Sequence, residues 1–231
     1  MYVRALRPVP LVGVVVVAVL VGSGCSAGSG ATGAGGVVPA LTQAQLRGLA
    51  FKEGEVVGAH PDGVPVQAPR PQGTARSRPP VADPACRTVL DVRNGKRAAA
   101  VVRQVFNWQG DFWGGGSTLA SYRDGEARRA FDRLQRALGA CRSYEDTGWE
   151  GRFTATLTAE PTPDIGDEAV RFRETVPPGP GELGAREEQF TVVRAGNTIA
   201  TFHKLSVGGS VSFPADLVNR QVRRLQDAQR P

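Results

Sequence analysis

The sequence predicts an α+β domain: a twisted antiparallel sheet of about five to seven strands with helices packed on one face, held by one disulfide. Three observations carry this. Ala127, Ala130, Phe131, Leu134, Ala137, Leu138 and Cys141 recur at three or four residues, as do Leu217, Val218, Val222 and Leu225, so two amphipathic helices are expected. Between them lie four short segments rich in β-branched and aromatic residues, at 153–158, 169–175, 189–194 and 198–206. Cys86 and Cys141 both fall in the part of the chain that can build a core.

The N-terminus is read as an export signal. Arg4 and Arg7 form a positive leader, an apolar run follows from Leu11 to Val21, and Gly22, Ser23 and Gly24 precede Cys25. The run is too short for a transmembrane helix, which needs ~20 apolar residues to cross ~30 Å of hydrocarbon, and suits a signal-peptide core of about 7–15 residues. The residues before Cys25 resemble the bacterial lipobox, with Gly22 where an aliphatic residue is usual. Residues 1–24 are therefore expected to be a lipoprotein signal peptide, and Cys25 the lipidated first residue of the mature chain. Residues 25–40, with their Gly and Ser, read as a flexible lipid-anchored tether, and 41–231 as the folded domain. The expected location is the extracellular face of the cell membrane.

Lipidation also settles the cysteine count. An exported chain with three cysteines has one over, and assigning Cys25 to lipid leaves Cys86 and Cys141 as a disulfide. Closing a loop of about 55 residues contributes up to roughly 4 kcal/mol in the chain-entropy model.

The formal charge is +6, or +4 without Arg4 and Arg7. The arginines are spread along the chain with no aromatic-rich stacking motif beside them, so no nucleic-acid partner is expected. Weak attraction to anionic lipid or cell-wall polymers suits a membrane-tethered protein better.

Along the domain, Thr42 and Gln45 have capping-box spacing before a short helix near 43–49. Residues 61–84 are rich in Pro, Arg, Gly and Gln and read as an exposed loop, closed by Cys86 at the start of a short helix carrying Val89 and Leu90. Residues 98–108 and 117–122 read as a strand pair across a Gly-rich turn. Asp124 is the expected N-cap of the helix that follows. A three-residue turn of Ala195, Gly196 and Asn197 joins the last two strands, and Pro214 suits the first turn of the final helix. Gly28, Gly30 and Gly33, and again Gly179, Gly181 and Gly184, match a dinucleotide fingerprint. Neither triplet follows a strand and opens a helix, so no such cofactor is expected.

Strand alternation then splits the sheet into two faces. Phe153, Ala155, Leu157, Val170, Phe172, Phe190, Val192, Ala200 and Phe202 form the expected apolar face, under the two long helices. The alternate set is threonine-rich and includes Arg171, Arg173 and His203. Such a face is solvated by default. The sharper expectation is that these three residues floor a groove for an anionic or polar ligand, with Trp108, Phe112 and Trp113 as one lip.

Catalysis has no foothold in the sequence. Its two histidines, His60 and His203, lack metal-ligand spacing, and no G-x-S-x-G or S-x-x-K follows the leader. A non-enzymatic binding or sensing role, without cofactor or metal, is expected. A carrier with an apolar cavity and a structural partner of an envelope protein are the alternatives.

Pro84, Ala85 and Cys86 opening a short helix, a strand pair, and a helix running from Ala130 and Phe131 to Ala140 and Cys141 resemble the PknH-like extracellular sensor domain of actinobacterial lipoproteins. The resemblance implies the same Cys86–Cys141 pairing, a twisted antiparallel sheet, and a cleft for an unidentified ligand. Family members usually carry a second disulfide in the C-terminal half, and this chain has no cysteine after Cys141. No catalytic residues come with the family.

Overall fold

Thr42 caps the first helix as expected. Its hydroxyl accepts from the Gln45 backbone N–H, and the Gln45 side chain accepts in turn from the Thr42 backbone, closing the box over α1 (Gln43–Leu49). The structure is a computed structural model describing residues 39–68, 81–148, 151–179, 181, 184–209 and 211–230. Cys25, the expected signal peptide, nearly all of the tether and residues 69–80 of the Pro-rich loop lie outside the described residues.

Asp83 caps α2 (Pro84–Arg93), accepting from the Cys86 N–H. A hairpin of β1 (Ala100–Phe106) and β2 (Gly115–Ser121) leads to α3 (Glu126–Ala140). Gly125, at φ 69°, takes the N-cap position of α3 in place of the expected Asp124, which is itself left-handed at φ 51° and makes no side-chain cap. Then come β3 (Ser143–Gly148), β4 (Gly151–Glu160), β5 (Glu168–Val176), β6 (Arg186–Ala195), β7 (Thr198–Val207) and α4 (Ala215–Asp227).

The seven strands form one antiparallel sheet in the order β1-β2-β7-β6-β5-β4-β3, and Val37–Pro231 is a compact unit holding every one of these elements. Cys86 and Cys141 are bonded, stapling the start of α2 to the end of α3. No helix among the described residues is long and apolar enough to cross a membrane.

Strand β3 carries no apolar alternation and was not expected. Its only buried side chain is Tyr144, and its acids Glu145 and Asp146 suit an edge strand that must not recruit another chain. At the opposite edge, β1 is closed from outside by bridges from Val66 to Gln104 and from Ala59 to Trp108, and by the Gln43 side chain, which bonds both the N–H and the carbonyl of Val101.

Adjacent residues enter opposite cores. Val192, Ile199 and Ala120 join α2 and α3 on one face, whereas Val193, Ala200 and Leu119 join α1 and α4 on the other. The two long helices, expected together over one apolar face, are thus on opposite faces: α3 packs with α2 on one side and α4 with α1 on the other, because the sheet is apolar on both.

One part of the expected face assignment is wrong. Ala200 and Phe202 lie on the α1/α4 face, not beside Phe190 and Val192. The turn after β6 has two residues, Gly196 and Asn197, so Ala195 pairs with Thr198 and Phe190 pairs with His203. A three-residue turn would have set Phe190 opposite Phe202. A one-residue slip moves every side chain of a strand to the other face.

Candidate functional site

That register divides the expected site. Arg171 and Arg173 lie on the α1/α4 face with Trp108 and Lys204, while His203 lies on the α2/α3 face. The three cannot floor one groove.

Glycine builds both halves. Gly115 and Gly116 are consecutive in β2, so they face opposite sides. Trp108 lies against Gly115, and the Nε2 end of the His203 ring lies against Gly116. A side chain at either position would displace a ring.

On the α1/α4 face, Gly115, Lys204, Gln189, Arg173 and Thr158 are successive cross-strand partners in one row. With strands about 4.8 Å apart, Lys204 and Arg173 stand about 10 Å from each other. The preceding row carries Phe202, and Phe213 just before α4 tilts against it at 5.4 Å. The helix therefore covers the sheet up to the Phe202 row, and the polar row begins one step beyond.

Within this row the charges are matched. Lys204 is 7 % exposed; its Nζ bonds Asp111, reaches the Trp113 carbonyl at 3.3 Å and sits 4.3 Å from the Trp108 ring centre. Arg173 donates to Glu160 at 2.7 Å and to Glu187 at 2.5 Å, and Gln189 donates to the other oxygen of Glu160 at 2.5 Å. Burial works against the Arg173 charge, but the two carboxylates outweigh it and raise its pKa. In the neighbouring Phe202 row, Arg171 bonds only the Thr191 hydroxyl, at 3.4 Å, among the described residues.

The residues of the expected aromatic lip lie in different surroundings. Trp108 is half-buried against the core, stacked on Phe106 at 5.7 Å and edge-on to Phe213. Trp113 is half-buried, held by its own N–H bond to Asp111, and Phe112 packs against it while remaining 87 % exposed. On the far side of the row, Thr154, Thr156 and Thr158 of β4 are exposed, with no helix over them. The site is an open shelf from Trp113 across Lys204, Gln189 and Arg173 to the β4 threonines. Sequence reasoning missed Lys204, Gln189, Asp111, Glu160 and Glu187, because only the strand register places them together.

On the α2/α3 face, His203 stacks on Phe190 at 5.7 Å, and Phe190 on Phe172 at 5.0 Å. Its Nδ1 stands 2.6 Å from Glu188, close enough for an ion pair but not aligned as a hydrogen bond. Glu188 pairs across the ladder with Glu174, which accepts from Arg93 at 2.6 Å and from the Tyr144 hydroxyl at 2.7 Å. The Arg93 guanidinium also lies 4.4 Å over the Phe190 ring. These contacts form a network beneath α2 in which Glu174 is bonded and only His203 Nδ1 lacks a hydrogen bond among the described residues. Burial pushes the Glu188 carboxyl up, but the His203 contact and the charges of Arg93 and Arg186 outweigh it, and the net shift is downward. No group of three metal-ligating side chains occurs among the described residues.

With this geometry in place, comparison with solved structures is informative. The extracellular domain of PknH from Mycobacterium tuberculosis superposes with a TM-score of 0.56 at 13 % identity, over 84 % of this chain and 98 % of that one. The fold is similar to that of the PknH extracellular domain. At this identity the likeness concerns the fold alone. A STAR-related lipid transfer protein from Xanthomonas axonopodis aligns over 57 % of this chain and 90 % of its own at 14 % identity, but its TM-score of 0.29 is too low to carry an argument. No family model and no curated protein matches the sequence.

Proposed function

We propose that the chain is a non-enzymatic, extracytoplasmic ligand-binding domain of the sensor type, anchored to the membrane through lipid on Cys25. Its ligand lies on the shelf formed by Trp113, Lys204, Gln189 and Arg173. The likeness in fold to the extracellular domain of PknH supports the class.

One observation carries the placement. Lys204 and Gln189 are each 7 % exposed and lie one step along the face from Phe202 and two from the apolar row of Leu119, Ala200, Val193 and Ala169. Burying such groups is costly unless each is bonded, and an apolar row serves folding at least as well. Here five charged side chains and an amide are spent holding one another in fixed planes beside an aromatic lip.

Because the carboxylates already neutralise Arg173 and Lys204, the ligand this shelf fits is polar and uncharged, such as an envelope glycan. That narrows the expected range of anionic or polar ligands. The test is thermal unfolding of Val37–Pro231 with a panel of neutral oligosaccharides. A binder at 100 times its Kd adds about 2.7 kcal/mol by mass action. The shift should disappear in Trp113→Ala and Arg173→Gln, and a shift that survives both variants rules out this shelf.

A further inference from the structure

A second site lies on the other side of the sheet, in the cleft between α2 and α3. Its volume is about 150 Å³, its floor is Val92 and Ala130, and its rim carries Lys96, Arg97, Arg133 and one carboxylate, Asp91. Three cations against one acid is an imbalance, and the shelf shows none like it.

The pairing of these charges leaves donors free. Lys96 bonds both oxygens of Asp91, at 3.0 and 2.9 Å, so that acid is occupied. Arg133 gives one N–H to Glu126 at 2.5 Å and keeps the rest of its fork. Arg97 makes no ion pair with any described residue.

The backbone supplies an independent reason to read Arg97 as placed for a ligand. The turn after α2 is pinned by bonds from Gly95 N–H to Val92 and from Lys96 N–H to Asp91, and Gly95 is pressed against Ala120 and Val101 where no Cβ fits. Arg97 then takes φ 68°, a left-handed conformation that crowds the Cβ of an ordinary residue. Glycine or asparagine would sit there more easily. A strained arginine without an internal partner, on the rim of a cationic cleft, gains nothing for the fold.

We propose that this cleft binds a compact phosphate-bearing ligand, with Arg97 and the free donors of Arg133 gripping the phosphate oxygens and Lys96 adding charge. A bidentate arginine fork matches phosphate geometry. By the same volume measure one water needs about 10–15 Å³, so the cleft admits a phosphate together with part of the group that carries it. The proposal is independent of the shelf and stands if the glycan reading fails.

The experiment is an amide NMR titration of Val37–Pro231 with inorganic phosphate, with glycerol phosphate, and with vesicles containing phosphatidylglycerol. Perturbations confined to residues 88–97 and 126–133 are expected with the two soluble probes, and vesicle binding through the same residues identifies the source as a lipid headgroup. Arg97→Gln should weaken phosphate binding about tenfold or more. Asp91→Asn should strengthen it by releasing Lys96, a gain that misfolding cannot imitate. A flat phosphate titration, or affinities unchanged in both variants, overturns the proposal.

Discussion

The Nε2 end of the His203 ring lies against Gly116, its partner across the β2–β7 ladder, where a Cβ has no room. The ring cannot simply swing away, because Phe190 stacks on it and Glu188 stands at Nδ1. Gly116→Ala should therefore cost about 1–3 kcal/mol by overpacking. Urea denaturation measures this, and an unchanged midpoint would mean the ring is free to move.

The disulfide joins the two helices that close one face. Reducing Cys86–Cys141 should destabilise the domain by about 2–4 kcal/mol. Thermal melts with and without reductant check it. The effect should be reproduced by Cys86→Ala with Cys141→Ala, without reductant.

Acid should weaken the fold through Glu188. Its folded pKa lies below the ordinary 4.5, so its contribution is complete above that value and is lost as the pH falls through the lowered one. Glu188→Gln should be less stable than the parent at pH 7, and the gap should narrow toward pH 3. Denaturation midpoints across that range measure the gap, and a constant difference contradicts the assignment.

Tyr122 is 1 % exposed and its hydroxyl has no hydrogen-bond partner among the described residues. Burial pushes its pKa up to about 12. Since a buried unbonded hydroxyl costs free energy, Tyr122→Phe should leave stability unchanged or raise it by up to about 1 kcal/mol. Loss of stability in that variant would reveal a bonded partner for the hydroxyl.

Elements with strong local signals were legible in the sequence. Thr42 and Gln45 announced α1, the apolar period announced α3 and α4, and the cysteine count paired Cys86 with Cys141. Strand β3 was not legible, because a polar edge strand has no period to detect. The site was only partly legible for a different reason. Alternation gives two faces for each strand alone, but one residue in the Gly196-Asn197 turn decides how the faces of β6 and β7 combine. That single residue moved His203 away from Arg171 and Arg173 and brought Lys204 to them.

The central claim is that ligand meets the sheet on the Lys204–Gln189–Arg173 row. Amide shift mapping with the oligosaccharide that most raises the melting temperature of Val37–Pro231 tests it most directly. Perturbations are expected at Trp113, Lys204, Gln189 and Arg173, with His203 and Phe190 undisturbed on the opposite face. Perturbations centred on His203, Phe190 and Glu188 would contradict it.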